Sequence, residues 1–126
     1  MDNTLDLLLK AEVPNAPEKR IKQKRLSKVC GGDVIFSLKA LSYSRAEEIK
    51  DQHSGNDMEV FILLEGVTSP DLKSKELMDK YKAATPAELV KKMLLAGEII
   101  DISREVEKLS GYRVSTLEEV EEIKKK

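Results

Sequence analysis

The apolar residues of this chain keep two different periods, and the change from one to the other at Ser42 limits the folds open to it. Over residues 33–41, Val34, Phe36 and Leu38 face one way while Ile35, Ser37 and Lys39 face the other, the period of two of a half-buried strand. From Ser42 onward the spacing becomes helical. A lone strand has no hydrogen-bonding partner, so residues 18–28 are read as its mate, with Gly31-Gly32-Asp33 as the turn of a β-hairpin. That first strand is weakly apolar, with only Ile21 and Leu26, and its lysines suit a solvent-facing edge strand. The chain's 126 residues amount to one domain. The prediction is an α+β domain, mainly α-helical, with an N-terminal β-hairpin followed by a bundle of short helices.

Four segments divide it. Residues 1–17 form a short helical arm and a proline-containing linker: Asn3 or Thr4 caps, Leu5, Leu8 and Leu9 share one face, and Pro14 and Pro17 end the pattern. A helix of about eight residues is marginal in water, so the arm must dock on its own domain, a neighbouring subunit or a partner. Residues 18–41 are the hairpin and residues 42–112 the helical core. In that core Ser42 or Ser44 starts a helix that Gly55-Asn56 closes. Val60-Phe61-Ile62-Leu63-Leu64 is apolar all round; Asp57 before it and Gly66 after it favour a central core helix over a buried strand. Ser69-Pro70 breaks the chain before a helix at about 74–81. Thr85-Pro86-Ala87-Glu88 is the clearest start signal, with a threonine cap, proline at the first helical position and glutamate reaching back. Beyond Gly97 a last core helix runs to Gly111, a C-terminal cap glycine. Residues 113–126 are expected to form a C-terminal amphipathic helix, acids first and lysines last, anchored only by Leu117, Val120 and Ile123.

Charge is unevenly placed. Residues 18–28 hold six basic residues against one acid, +5 locally, so a chain of net charge −1 carries −6 elsewhere. Such a segment invites either an internal fold-back or an anionic partner. As a nucleic-acid surface it would use Lys22, Lys24 and Arg25, but no aromatic residue lies among the lysines to stack on bases, so nucleic acid is the disfavoured partner. No apolar run approaches the ~18 residues of a membrane span. Asp2 and the short Leu7-Leu8-Leu9 run do not read as a secretory signal, and one cysteine suits a reducing cytoplasm.

The chemistry of catalysis finds little purchase. His53, the single histidine, falls at a polar helix end where the dipole alone favours it. Cys30 stands beside Gly31-Gly32 without a second cysteine, which excludes a Cys/His zinc site by count. The carboxylates lie at caps and on helix faces, and no glycine-rich phosphate loop or GxSxG pattern exists. The residues indicate no enzyme, no cofactor and no metal.

Several runs, taken in order, carry a resemblance. Lys24-Arg25-Leu26-Ser27-Lys28 and Phe36-Ser37-Leu38-Lys39-Ala40-Leu41-Ser42 resemble the hairpin of the XkdN-like phage tail assembly chaperones. The stretch from Ile62-Leu63-Leu64-Glu65-Gly66-Val67 through Asp71-Leu72-Lys73-Ser74-Lys75-Glu76-Leu77-Met78 is similar to that family's middle. So are Ala84-Thr85-Pro86-Ala87-Glu88-Leu89-Val90, Leu95-Ala96-Gly97-Glu98-Ile99 and Leu109-Ser110-Gly111-Tyr112. The resemblance implies a non-enzymatic protein of a phage or prophage tail module, working in the bacterial host cytoplasm and absent from the mature virion. It implies the helical tape-measure protein as client before tail tube polymerisation; a second copy of the chain, which its loosely held ends would allow, and the tail tube protein are the further candidate partners. The alternatives are a structural accessory component of the tail and, behind it, a nucleic-acid-binding regulator using residues 19–28. The family brings no catalytic residues. Partner contact is therefore expected at Leu5, Leu8 and Leu9, at Lys22, Lys24 and Arg25, and at Leu117, Val120 and Ile123. The closing lysines, Lys124-Lys125-Lys126, also fit the frameshifted longer product that related genes often make.

Overall fold

The computed structural model of the chain describes residues 3–12, 16–53, 55 and 57–120. Asn3 starts α1 (Thr4–Lys10) by accepting the Asp6 N–H on its side chain at 2.9 Å. None of the residues of α1 is buried. The chain then enters β1 (Glu18–Lys22) and, from Gln23, turns into α2 (Lys24–Cys30). This corrects the strand expected over residues 18–28: only its first half is extended.

The reason is local. Lys, Arg and Leu are good helix formers, and the Gln23 side chain accepts the Leu26 N–H at 2.9 Å as a cap. Gly31, at φ +75°, closes the helix in the left-handed region where a side chain would be strained, and its N–H and that of Gly32 both donate to the Ser27 carbonyl. Gly31-Gly32 therefore ends a helix rather than turning a hairpin. Ser27 fastens the insertion down, because its hydroxyl donates to the Gln23 carbonyl at 2.7 Å and accepts the Val34 N–H at 2.8 Å.

β2 (Ile35–Lys39) pairs antiparallel with β1, from Glu18↔Lys39 to Lys22↔Ile35, so the hairpin forms around a helical connection. Phe36 and Leu38 are buried as the period of two requires. Ser42 caps α3 (Tyr43–Gln52), accepting the Arg45 N–H, and α4 (Asp57–Gly66) follows. α4 is the central helix its apolar run indicated, packing on α3 and on two later helices. It passes straight into β3 (Val67–Ser69), a third strand that joins the other side of β2, giving the order β1-β2-β3 with β1 on the edge. Nothing in so short a segment carries a period. α5 (Lys75–Lys80) begins at the Ser74 cap, and α6 (Pro86–Met93) at Thr85, whose hydroxyl accepts the Glu88 N–H at 3.1 Å while Glu88 reaches back to the Ala84 N–H.

The longest helix, α7 (Ala96–Leu109), lies across α4 and the sheet. Its contact with α4 depends on Gly66: a Cβ there would sit 2.5 Å from both γ-carbons of Val106, itself fully buried. Beyond Gly111 the expected terminal helix is absent over 115–120. Leu117 and Val120 find no surface to cover and stay largely exposed, and a short helix without packing is not stable in water. Residues 121–126 lie outside the described residues, Ile123 among them.

Candidate functional site

Because α4 is apolar on every side, the half of it that does not face the core must be covered by something else. Val60, Ile62 and Leu63 are buried, while Phe61 and Leu64, one turn apart on a neighbouring face, remain half-buried against the core. There they line a groove of about 430 Å³ between α3, α4 and the first turn of α6. Pro86 and Ala87 form one wall, placed by the Thr85 cap. His53, the last residue capping α3, lays its ring flat on Phe61, with centroids 3.5 Å apart and planes 8° from parallel. The single histidine is thus an aromatic wall of the groove.

Charge is confined to the rim. Arg45 Nη2 donates to Glu65 at 2.8 Å and Arg45 also pairs with Glu48, while Lys73 lies on the far side. An apolar floor with both signs of charge around it suits the apolar face of an amphipathic helix rather than a small polar ligand. Sequence reasoning did not single out Phe61, Leu64, Pro86 or Ala87 as a site. The signal was present in the all-round apolar run of 60–64, which exceeds what one core face can absorb.

The basic segment meets a different fate. Arg25 Nε and Nη2 donate to the two carboxylate oxygens of Glu98 at 2.8 and 2.9 Å, and Nη2 also reaches the Met93 carbonyl at 3.0 Å. Lys19 donates to Glu105 at 2.5 Å, and Lys22 pairs with Asp33 at 3.1 Å. The Arg25 hydrogen bonds hold the Glu98 carboxyl below its usual range against the opposing effect of burial, and Lys19 does the same for Glu105. The fold-back onto α7 is therefore realised, and Arg25 is part of the scaffold. Lys22 and Lys24 line a separate, polar groove of about 620 Å³ between β1, α2 and α7.

The other expected contact residues stand apart from both grooves. Leu5, Leu8 and Leu9 on α1 are 62%, 71% and 72% exposed. Leu117 and Val120 are exposed on a segment without regular structure, and neither lines either groove. Cys30 is exposed at the end of α2. Among the described residues no group of three or more His, Cys, Asp or Glu is placed to hold a metal ion, and no helix is long and apolar enough to cross a membrane.

Fold and groove together define a small α+β domain with an apolar-floored cleft on one side of its central helix. The sequence profile of the family described as phage XkdN-like tail assembly chaperone protein matches residues 5–124, and the chain belongs to that family. A crystal structure of the protein yqbn shares the fold, with a TM-score of 0.70 and 24% sequence identity over 89% of this chain and 99% of that one. No curated protein matches the chain.

Proposed function

We propose that this chain is a non-enzymatic tail assembly chaperone that holds the tape-measure protein in the host cytoplasm by laying one of its amphipathic helices in the α3–α4–α6 groove. The observation that carries the reading is the groove itself, an apolar floor of Phe61, Leu64, Pro86 and Ala87 under a charged rim on a member of a tail assembly chaperone family. A tape-measure helix presents the long apolar stripe that such a cleft covers, and covering it keeps the client from aggregating before the tube grows around it. Arg25 and Lys19, already engaged by Glu98 and Glu105, support this reading over nucleic-acid binding.

The test is co-expression with the tape-measure protein encoded beside it, followed by affinity purification and size exclusion. The client is expected to become soluble and co-elute. Ala87→Glu, which puts a charge in the groove wall without emptying the core, is expected to abolish co-elution while keeping the circular-dichroism spectrum of the parent. Leu64→Gln serves as a second groove variant. A client that stays insoluble beside the folded parent, or one that co-elutes equally with both variants, overturns the assignment. Mass spectrometry of purified tails is expected to find no copy of the chain.

A further inference from the structure

The arm and the groove are complementary, and the isolated chain leaves them apart. α1 presents Leu5, Leu8 and Leu9 along one face, with Leu7 beside them, all more than half exposed. The groove is apolar, open and wide enough for leucine side chains. The arm also leaves the body at the groove's edge. Ala16 and Pro17 lie on a surface that continues through Arg45 and Glu65, and those two residues form the groove's rim. Pro17 accepts the Ala40 N–H on its carbonyl at 2.9 Å, which ties the chain just before β1 to the end of β2 beside that rim.

We infer that α1 of a second copy occupies the α3–α4–α6 groove, each copy giving its arm to the other. One arm and one groove per chain close into a two-fold pair in which both are satisfied. Two short helices, counted with the groove faces they cover, hide about 1,000 Å², below the ~1,200–2,000 Å² of stable specific interfaces. The exchange is therefore weak and readily reversed. That is what a site reserved for a client requires: the leucine arm covers the apolar floor when no client helix is present and yields to one that buries more. The inference rests on the proposed function for the identity of the displacing helix, but not for the pairing itself.

Sedimentation velocity of the full chain over a wide concentration range reads it. The parent is expected to rise from the 14.2 kDa of one chain to twice that mass as concentration increases. The arm variant Leu5→Ser/Leu8→Ser/Leu9→Ser and the groove variant Ala87→Glu are each expected to stay at one-chain mass. Mixed, they can make one arm–groove contact of the two, so a mixed pair is expected only at concentrations well above those at which the parent pairs. A parent of one-chain mass throughout overturns the inference, as does a folded arm or groove variant that pairs like the parent. Leu9→Cys and Lys73→Cys in a Cys30→Ser background give an independent reading: with the two on separate chains, a disulfide joining the two variants supports the exchange, and its absence there, with one closing inside a chain that carries both substitutions, overturns it. Pairing without tape-measure co-elution leaves the inference standing and the function refuted; co-elution with a strictly monomeric parent does the reverse.

Discussion

Replacing Gly66 by alanine tests the closest approach in the core. The added Cβ would lie 2.5 Å from both γ-carbons of Val106 and 3.0 Å from its Cβ, where carbon atoms normally rest about 3.5–4.0 Å apart. Roughly 1 Å must open between α4 and α7, and Val106, fully buried, has nowhere to rotate without meeting other core atoms. Overpacking of this kind costs about 1–3 kcal/mol. The helix preference of alanine over glycine returns at most about 1 kcal/mol, and less at Gly66 because it is the last residue of its helix. The expected net loss is about 1–2 kcal/mol, or a Tm lower by about 3–8 °C for a domain of this size. Urea unfolding followed by circular dichroism measures it. Val106→Ala alone should cost about 2–3 kcal/mol by leaving a cavity, but on the Gly66→Ala background the new methyl fills part of that space. The double variant should thus lose at least about 1 kcal/mol less than the sum of the singles. A Gly66→Ala protein as stable as the parent, or a strictly additive cycle, would refute the claim that these two positions share one space.

Three further outcomes follow from described contacts. Ser103 is buried and its hydroxyl has no hydrogen-bond partner among the described residues; Ser103→Ala should raise stability by about 0.5–1.5 kcal/mol in thermal melts, since it removes a desolvated polar group and favours the helix. Ser27→Ala strips the partner from the Val34 N–H and should cost about 1–3 kcal/mol, seen as faster amide exchange at Val34 and a lower Tm. Glu98 and Glu105 have carboxyls held below their ordinary range, so the stability they contribute is present above the unfolded carboxylate value of ~4.3 and is lost as pH falls through the lower folded values. Tm should drop between about pH 5 and pH 3, and Glu98→Gln should lower Tm at neutral pH while flattening that acid limb.

What the residues announced by themselves was what short-range chemistry decides. Thr85-Pro86-Ala87-Glu88 starts α6 because cap, proline and reach-back glutamate all lie within four positions. Ser42 and Asn3, each one of two candidates, supply the caps of their helices, and the alternation of Phe36 and Leu38 is that of a buried strand face. Residues 24–30 misled because α2 buries only Leu26 and Ser27, too little to show a helical stripe, and its cap is Gln23 rather than one of the usual short polar residues. β3 has three residues and borrows its order from β2. The terminal segment showed the charge order of a helix but lacks a surface to hold its stripe over 115–120. The groove was illegible for a different reason: His53 and Phe61 are eight positions apart but belong to two helices, and their stacking exists only after α3 and α4 have packed.

The clasp between the basic segment and α7 also sets an order of events on the ribosome. Arg25 is held by a carboxylate 73 positions later and Lys19 by one 86 positions later, while Val106 closes against Gly66 from the same helix. Synthesis delivers β1 and α2 first, yet the groups that fasten them emerge last. The nascent chain therefore carries Lys19 and Arg25 without their carboxylates until α7 leaves the exit tunnel, while Lys22 meets Asp33 early. The fold is thus closed only after α7 has emerged, although the α3–α4–α6 groove is lined by residues 45–87 and precedes it.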